Sequence, residues 1–178
     1  ITHPRDRPRE TWLYRILKPG AARPRDGVDA VALEAFLADM RAHYTLLLDG
    51  IAAAAAGVPV AIHAYDHPIP DGRKAPGAGN GPWLQPVFAE RGMHDQPYNT
   101  QVMRHLIDAL NDMVATLADD RRRAGQPVHH LRLAGILAAQ PGFADDHSGF
   151  WSDELHPQEA GYEALAEAAA THLAAWGI

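Results

Sequence analysis

The chain has 178 residues, 47% of them hydrophobic and 21% charged, which is enough apolar content for one domain with a real core. Its net charge of −6 argues against a nucleic-acid partner, which needs a clustered basic face. Cysteine is absent, removing disulfides, thiol nucleophiles and zinc–thiolate sites together, and the longest apolar stretch, 51–62, is alanine-rich and too short to span a bilayer.

Residues 1–27 are rich in proline and arginine, interrupted by the apolar patch Trp12-Leu13-Tyr14-Arg15-Ile16-Leu17, and read as an irregular N-terminal arm ahead of a domain over 28–178. From Leu33 through Phe36, Leu37, Met40, Tyr44, Leu47 and Leu48 to Ile51, apolar residues fall at steps of three and four. That spacing predicts one long helix, with Asp29 or Asp26 placed to cap its start and Gly57 to end it. The apolar run 58–64 follows as a buried strand, so helix, glycine turn and strand together suggest an α/β unit with a parallel sheet. Periodicity then disappears over 65–98, a long Gly/Pro loop of a kind that is often functional. A second helix is expected over about 99–124, carrying Met103, Leu106, Leu110, Met113 and Leu117 on one face. Its basic run Arg121-Arg122-Arg123 suits a helix C-terminus, where cations complement the dipole. A strand over 128–134, a loop over 140–152 and a last helix from near Pro157 complete the order.

Two strands with three helices do not close an α/β domain, because such sheets usually hold about five strands. The chain is therefore expected to recruit a missing half, from the same gene product or from a companion chain. The opening Ile1-Thr2-His3-Pro4, without an initiator methionine, fits sequence lying upstream.

The chemistry concentrates near the C-terminus. Asp153 and His156 stand three apart, a spacing that can bring a carboxylate against one imidazole nitrogen and leave the other free, as a general base requires. The same spacing suits an N-terminal helix cap beside a surface histidine. The segment Trp151-Ser152-Asp153-Glu154-Leu155-His156-Pro157, followed by Gly161-Tyr162 and Leu165-Ala166, resembles the last block of the SGNH (GDSL-type) serine hydrolases. The resemblance implies that Asp153 and His156 are the acid and base of a triad. It also implies that 28–178 is the C-terminal part of a flavodoxin-like three-layer α/β fold with a parallel sheet. The substrate would be a small ester or related acyl compound, with no metal or organic cofactor. The family's Gly-Asp-Ser nucleophile block and Gly-x-Asn-Asp oxyanion block do not occur. The only serines are Ser148 and Ser152, neither in a strand-to-helix turn that would present a hydroxyl to His156, so the nucleophile is expected from sequence outside this chain. Asn80, in Gly79-Asn80-Gly81, is the nearest imitation of an oxyanion asparagine.

Other polar clusters admit two readings each. His63, Tyr65, Asp66 and His67 end the first strand, where ligands of open α/β sheets bind, or they simply meet water there. Trp83 and Trp151 are candidates for an apolar substrate wall or for plain packing, so the substrate-binding set is His63, Tyr65 and Trp151. A metal-assisted hydrolase would draw on Asp145, Asp146, His147, Asp153 and His156, which are acceptable zinc or manganese ligands. His129 and His130 would point to opposite faces of their strand and not share a metal. A non-catalytic α/β binding or structural module remains the alternative from another class.

Overall fold

A computed structural model describes residues 7–75 and 81–177; Asn80 lies outside them. Two long helices organise the molecule. Helix α2, Ala30–Ala54, begins where the Asp29 carboxylate accepts the Ala32 N–H at 2.9 Å, and it ends ahead of Gly57, whose φ of 80° reverses the chain. Helix α4, Gln96–Arg123, is capped by Asp95, which accepts from Tyr98 N at 3.2 Å, and carries Pro97 in its first turn, where no N–H is needed. It therefore starts three residues before the expected 99, because the cap and the proline precede the first apolar residue of the stripe.

One face of α4 serves two apolar clusters. Val102, Met103 and Leu106 pack with Leu33 of α2, while Val114, Leu117 and Ala118 pack with Leu48 of α2 and with the sheet. The basic end of α4 is spent on ion pairs: Arg121 meets Asp49 of α2, Arg122 meets Asp119, and Arg123 meets Asp120. The proline-rich start joins the first cluster through helix α1, Trp12–Ile16, whose Thr11 cap accepts from Tyr14 N at 3.1 Å. Ile16 and Leu17 are buried, and Leu17 bridges Val28. Gly27 lets the chain pass close at that join: a Cβ there would lie 2.6 Å from the Tyr98 hydroxyl oxygen, so a larger residue would displace that side chain.

The expected sheet is corrected by the structure. Strand β1, Val60–Ile62, pairs in parallel with β2, Val128–His130, in the register Val60↔Val128, Ala61↔His129 and Ile62↔His130. Among the described residues no third strand joins them, so the molecule is mainly helical and is not part of a flavodoxin-like three-layer fold. The apolar runs 58–64 and 128–134 are longer than the strands, but the backbone leaves the ladder after Ile62 and His130. Leu131 N still donates to the Ile62 carbonyl at 2.8 Å, and the loops that follow the two strands are then tied together by the Asp66 carboxylate. Asp66 accepts from His67 N, Gly135 N and Leu137 N, at 2.6, 2.5 and 2.8 Å. The long loop also contains a short helix, α3, Gln85–Glu90, whose Val87 and Phe88 enter the first cluster.

The last helix, α5, Glu159–Ala175, lies lightly on this body and buries only Gly161. A Cβ at Gly161 would stand 2.3 Å from the Phe150 carbonyl oxygen, so glycine permits the helix to start against the preceding turn. At its far end Trp176 stacks on His129, with ring centroids 4.7 Å apart. No helix among the described residues is long and apolar enough to cross a membrane.

Candidate active site

The segment 151–157 folds back on itself. Trp151 and Pro157 form an antiparallel bridge, Ser152 N donates to the His156 carbonyl at 2.8 Å, and Gln158 N donates to the Phe150 carbonyl at 3.0 Å. Inside this turn one oxygen of Asp153 accepts Leu155 N and His156 N, both at 2.8 Å. An aspartate that holds the next two or three amides is a turn-former by chemistry, and this turn swings the His156 ring back onto the same carboxylate. His156 Nδ1 lies 2.9 Å from Asp153 Oδ2 and 3.1 Å from Oδ1. Asp153 does not cap α5, which begins at Glu159 with Gln158 before it. The geometry thus favours the paired arrangement over the helix cap.

The pair is asymmetric in exposure. The Asp153 side chain is 1% exposed and that of His156 is 53% exposed. Nδ1 donates to the carboxylate, so Nε2 of the neutral ring is an acceptor, and it has no hydrogen bond to any described residue. Burial pushes the Asp153 carboxyl upward, but the Leu155 N–H, the His156 ring and the His156 N–H outweigh it and hold the group below the ordinary aspartate range. Trp83 completes the surroundings: its indole Nε1 donates to Asp153 Oδ2 at 3.3 Å, and its ring stands edge-on to His156 at 5.8 Å.

The adjacent Glu154 was not marked by any motif. Its side chain is among the most buried in the molecule, and its two oxygens accept four backbone N–H groups, from Gly72, Trp83, Leu84 and Gln85. Burial raises its carboxyl above the ordinary glutamate value despite those four donors. This carboxylate fastens the loop between β1 and α3 to the turn that carries Asp153 and His156. The signal in the sequence was indirect: a long loop without strand or helix needs a partner for its amides.

The remaining candidates sort clearly. His147 Nε2 lies 2.9 Å from Asp71 and 2.7 Å from Arg73, and Arg73 also donates to the Trp151 carbonyl at 3.0 Å. Asp146 accepts Ser148 N at 2.8 Å at the start of a 3-10 turn, His147–Gly149, and is drawn below the ordinary aspartate range by the Ser148 hydroxyl and N–H. The Asp145, Asp146, His147, Asp153 and His156 set is therefore not gathered: His147 turns to Asp71 and Arg73, and Asp153 turns to His156. Among the described residues no group of three or more such side chains is arranged to hold a metal ion. Neither serine hydroxyl is bonded to His156.

His63, Tyr65 and Trp151 are brought together on the wall of one cavity, shared with Leu131, Pro157 and Tyr162. His156 is not part of that wall. The Tyr65 hydroxyl donates to the Leu155 carbonyl, and burial, helped by Tyr162 and Asp153, pushes its pKa up to about 12. Tyr65 thus joins the end of β1 to the turn that carries Asp153 and His156. His63 is exposed, with Nδ1 at 2.7 Å from the Ala64 carbonyl.

No known protein family, curated protein or solved structure matches this chain.

Proposed function

We propose that Asp153 and His156 are the acid and base of a hydrolase that cleaves an ester or related acyl bond through an acyl-serine intermediate. The observation that carries this reading is the pairing of His156 Nδ1 with a buried, ionised Asp153 while Nε2 stays open and unbonded. In such a reaction Nε2 removes the proton of a hydroxyl as its oxygen attacks the substrate carbonyl. The imidazolium, stabilised by Asp153, then returns that proton to the departing alcohol, and water discharges the acyl group by the same route. Asp153 stays ionised throughout and fixes the tautomer.

The hydroxyl is supplied by a serine outside this sequence, in the same gene product or a companion chain. Ser152 is engaged through its backbone in the turn, and Ser148 through both its N–H and its hydroxyl with Asp146. The test is a fluorophosphonate probe applied to the intact protein, with the labelled peptide read by mass spectrometry. The expected label falls on a serine outside these residues, is absent in His156→Ala, and is unaffected by chelators. A label on Ser148 or Ser152 would contradict the assignment of the nucleophile. An unlabelled activity that chelation abolishes and zinc or manganese restores would contradict serine chemistry altogether.

A further inference from the structure

Tyr65 is anchored at its main chain before its hydroxyl reaches the turn. Its backbone carbonyl accepts the side-chain amide of Asn111 on α4 at 3.0 Å, and the same amide donates to the Ile107 carbonyl at 2.9 Å. Asn111 is fully buried. The next residue, Asp66, ties the chain to Gly135 and Leu137. The Tyr65 ring packs against the cluster of Ile69, Leu137 and Trp151. A side chain held in this way delivers its hydroxyl to one place, as a group that positions another must.

The place is the Leu155 carbonyl, which accepts the Tyr65 hydroxyl. That carbonyl and the His156 N–H belong to one trans peptide unit, in which the two point in opposite directions. Asp153 Oδ1 takes the N–H end at 2.8 Å. One peptide is thus gripped from both sides, by Tyr65 and by Asp153. Rotating its plane would carry the His156 N–H off the carboxylate and loosen the turn that brings the His156 ring back to Asp153. The Tyr65 hydroxyl opposes that rotation. Donation to the carbonyl also polarises the peptide and makes its N–H a stronger donor. Burial, with Tyr162 and Asp153 adding to it, lifts the Tyr65 pKa to about 12, so the phenol keeps its proton throughout the range in which imidazole titrates.

We propose that Tyr65 is a positioning residue for the Asp153–His156 pair, acting through the Leu155–His156 peptide. Its effect on turnover rests on the hydrolytic reading above, whereas its effect on the pair can be measured without turnover. A ring that only packed could be replaced by phenylalanine with no change in the pair.

Tyr65→Phe makes that replacement, keeping the ring and removing the hydroxyl. The full chain is followed by ¹H–¹⁵N correlations of the His156 amide and ring and by ¹³C titration of the Asp153 carboxyl. In Tyr65→Phe the carboxyl should titrate higher than in the unaltered protein, because the His156 N–H that helps hold it down is less well aimed. The preference of the His156 ring proton for Nδ1 should weaken with it. A 3-fluorotyrosine placed at position 65 has a more acidic hydroxyl and donates more strongly, so it should move the His156 amide proton downfield; this arm stands on its own should Tyr65→Phe disturb folding. With p-nitrophenyl butyrate and the intact protein, kcat should fall about tenfold in Tyr65→Phe with KM nearly unchanged, the worth of one hydrogen bond. An unchanged Asp153 titration and His156 tautomer in a folded Tyr65→Phe would overturn the proposal. So would a His156 amide indifferent to 3-fluorotyrosine, or a kinetic change confined to KM, which would set Tyr65 against the substrate instead. A shifted pair in a protein that hydrolyses no ester would leave the role of Tyr65 standing and remove the hydrolytic reading. Ester hydrolysis that His156→Ala abolishes and Tyr65→Phe leaves intact would do the reverse.

Discussion

Asp153 and Glu154 are neighbours in the chain and almost equally buried, yet they belong to different parts of the molecule. Asp153 faces a titratable ring that reaches solvent, and its carboxyl is held below the ordinary value; Glu154 faces four amides of a loop, and its carboxyl is raised. Burial is common to both, so it cannot decide what either does. The partners decide: Asp153 hands its influence through His156 to an open nitrogen, while Glu154 ends all its influence inside the fold. One short segment thus both fastens the loop and presents the His156 ring to solvent.

Breaking the two sides separately should give different phenotypes. The largest effect belongs to His156→Ala in the intact protein, where ester hydrolysis should fall by about 10⁴-fold with little change in stability, because the ring is half exposed. Asp153→Asn should cost activity comparably or less. The double variant should be no worse than His156→Ala alone, since the two act as one unit. Steady-state kinetics on the three variants checks this, and full activity in His156→Ala would end the acid–base reading. Glu154→Ala should act on stability instead, by about 3–5 kcal/mol in urea unfolding, because it leaves buried amides of the loop without an acceptor. A loss below about 1 kcal/mol would show that the loop is held by something other than this carboxylate.

The pH dependence sharpens the same contrast, with opposite signs. Asp153 has a lowered folded-state pKa, so its stabilising contribution is complete above the unfolded value of 3.8 and is lost as pH falls through the lower folded value. Glu154 has a raised one, so stability contributed through its protonated form is complete below 4.5 and declines as pH rises from there through the higher folded value. Urea midpoints followed from acid to neutral pH should therefore lose their rising acidic limb in Asp153→Asn and their falling limb above 4.5 in Glu154→Gln. The same slopes in both variants would contradict the assignment. The smallest effect is Trp83→Phe, which removes a 3.3 Å hydrogen bond to Asp153 but keeps a ring beside His156. It should lower kcat a few-fold with KM nearly unchanged, and a change confined to KM would place Trp83 against the substrate instead of the pair.

The long helices and the contact between Asp153 and His156 were legible in the sequence because each has a local cause. Asp29 caps α2 through its own side chain, and the apolar steps from Leu33 to Ile51 follow one face of that helix. Asp153 and His156 meet within a turn that Asp153 itself builds, so three residues suffice to describe it. The two strands and their parallel pairing were legible too, but the small extent of the sheet and the contacts that hold the loop were not, because those contacts are distant in sequence. The runs 58–64 and 128–134 look like buried strands whether or not a third strand exists. Asp66 ties the loops that follow them together, reaching Gly135 and Leu137 across 69 and 71 positions. Glu154 reaches Gly72 across 82 positions, and no periodicity or motif records that partnership. The three residues expected to touch substrate, His63, Tyr65 and Trp151, do share one cavity, but its other wall is α5, whose loose seating no pattern in its alanine-rich sequence announces.

The arrangement of His156 is the central claim, and its tautomer tests it most directly. Long-range ¹H–¹⁵N correlations of the histidine rings, recorded on the full chain above the titration of imidazole, distinguish a proton on Nδ1 from one on Nε2. The account predicts that His156 carries its proton on Nδ1, donated to Asp153, and that Asp153→Asn abolishes this preference. A His156 ring protonated on Nε2, or one with the same tautomer mixture in Asp153→Asn as in the unaltered protein, would contradict it.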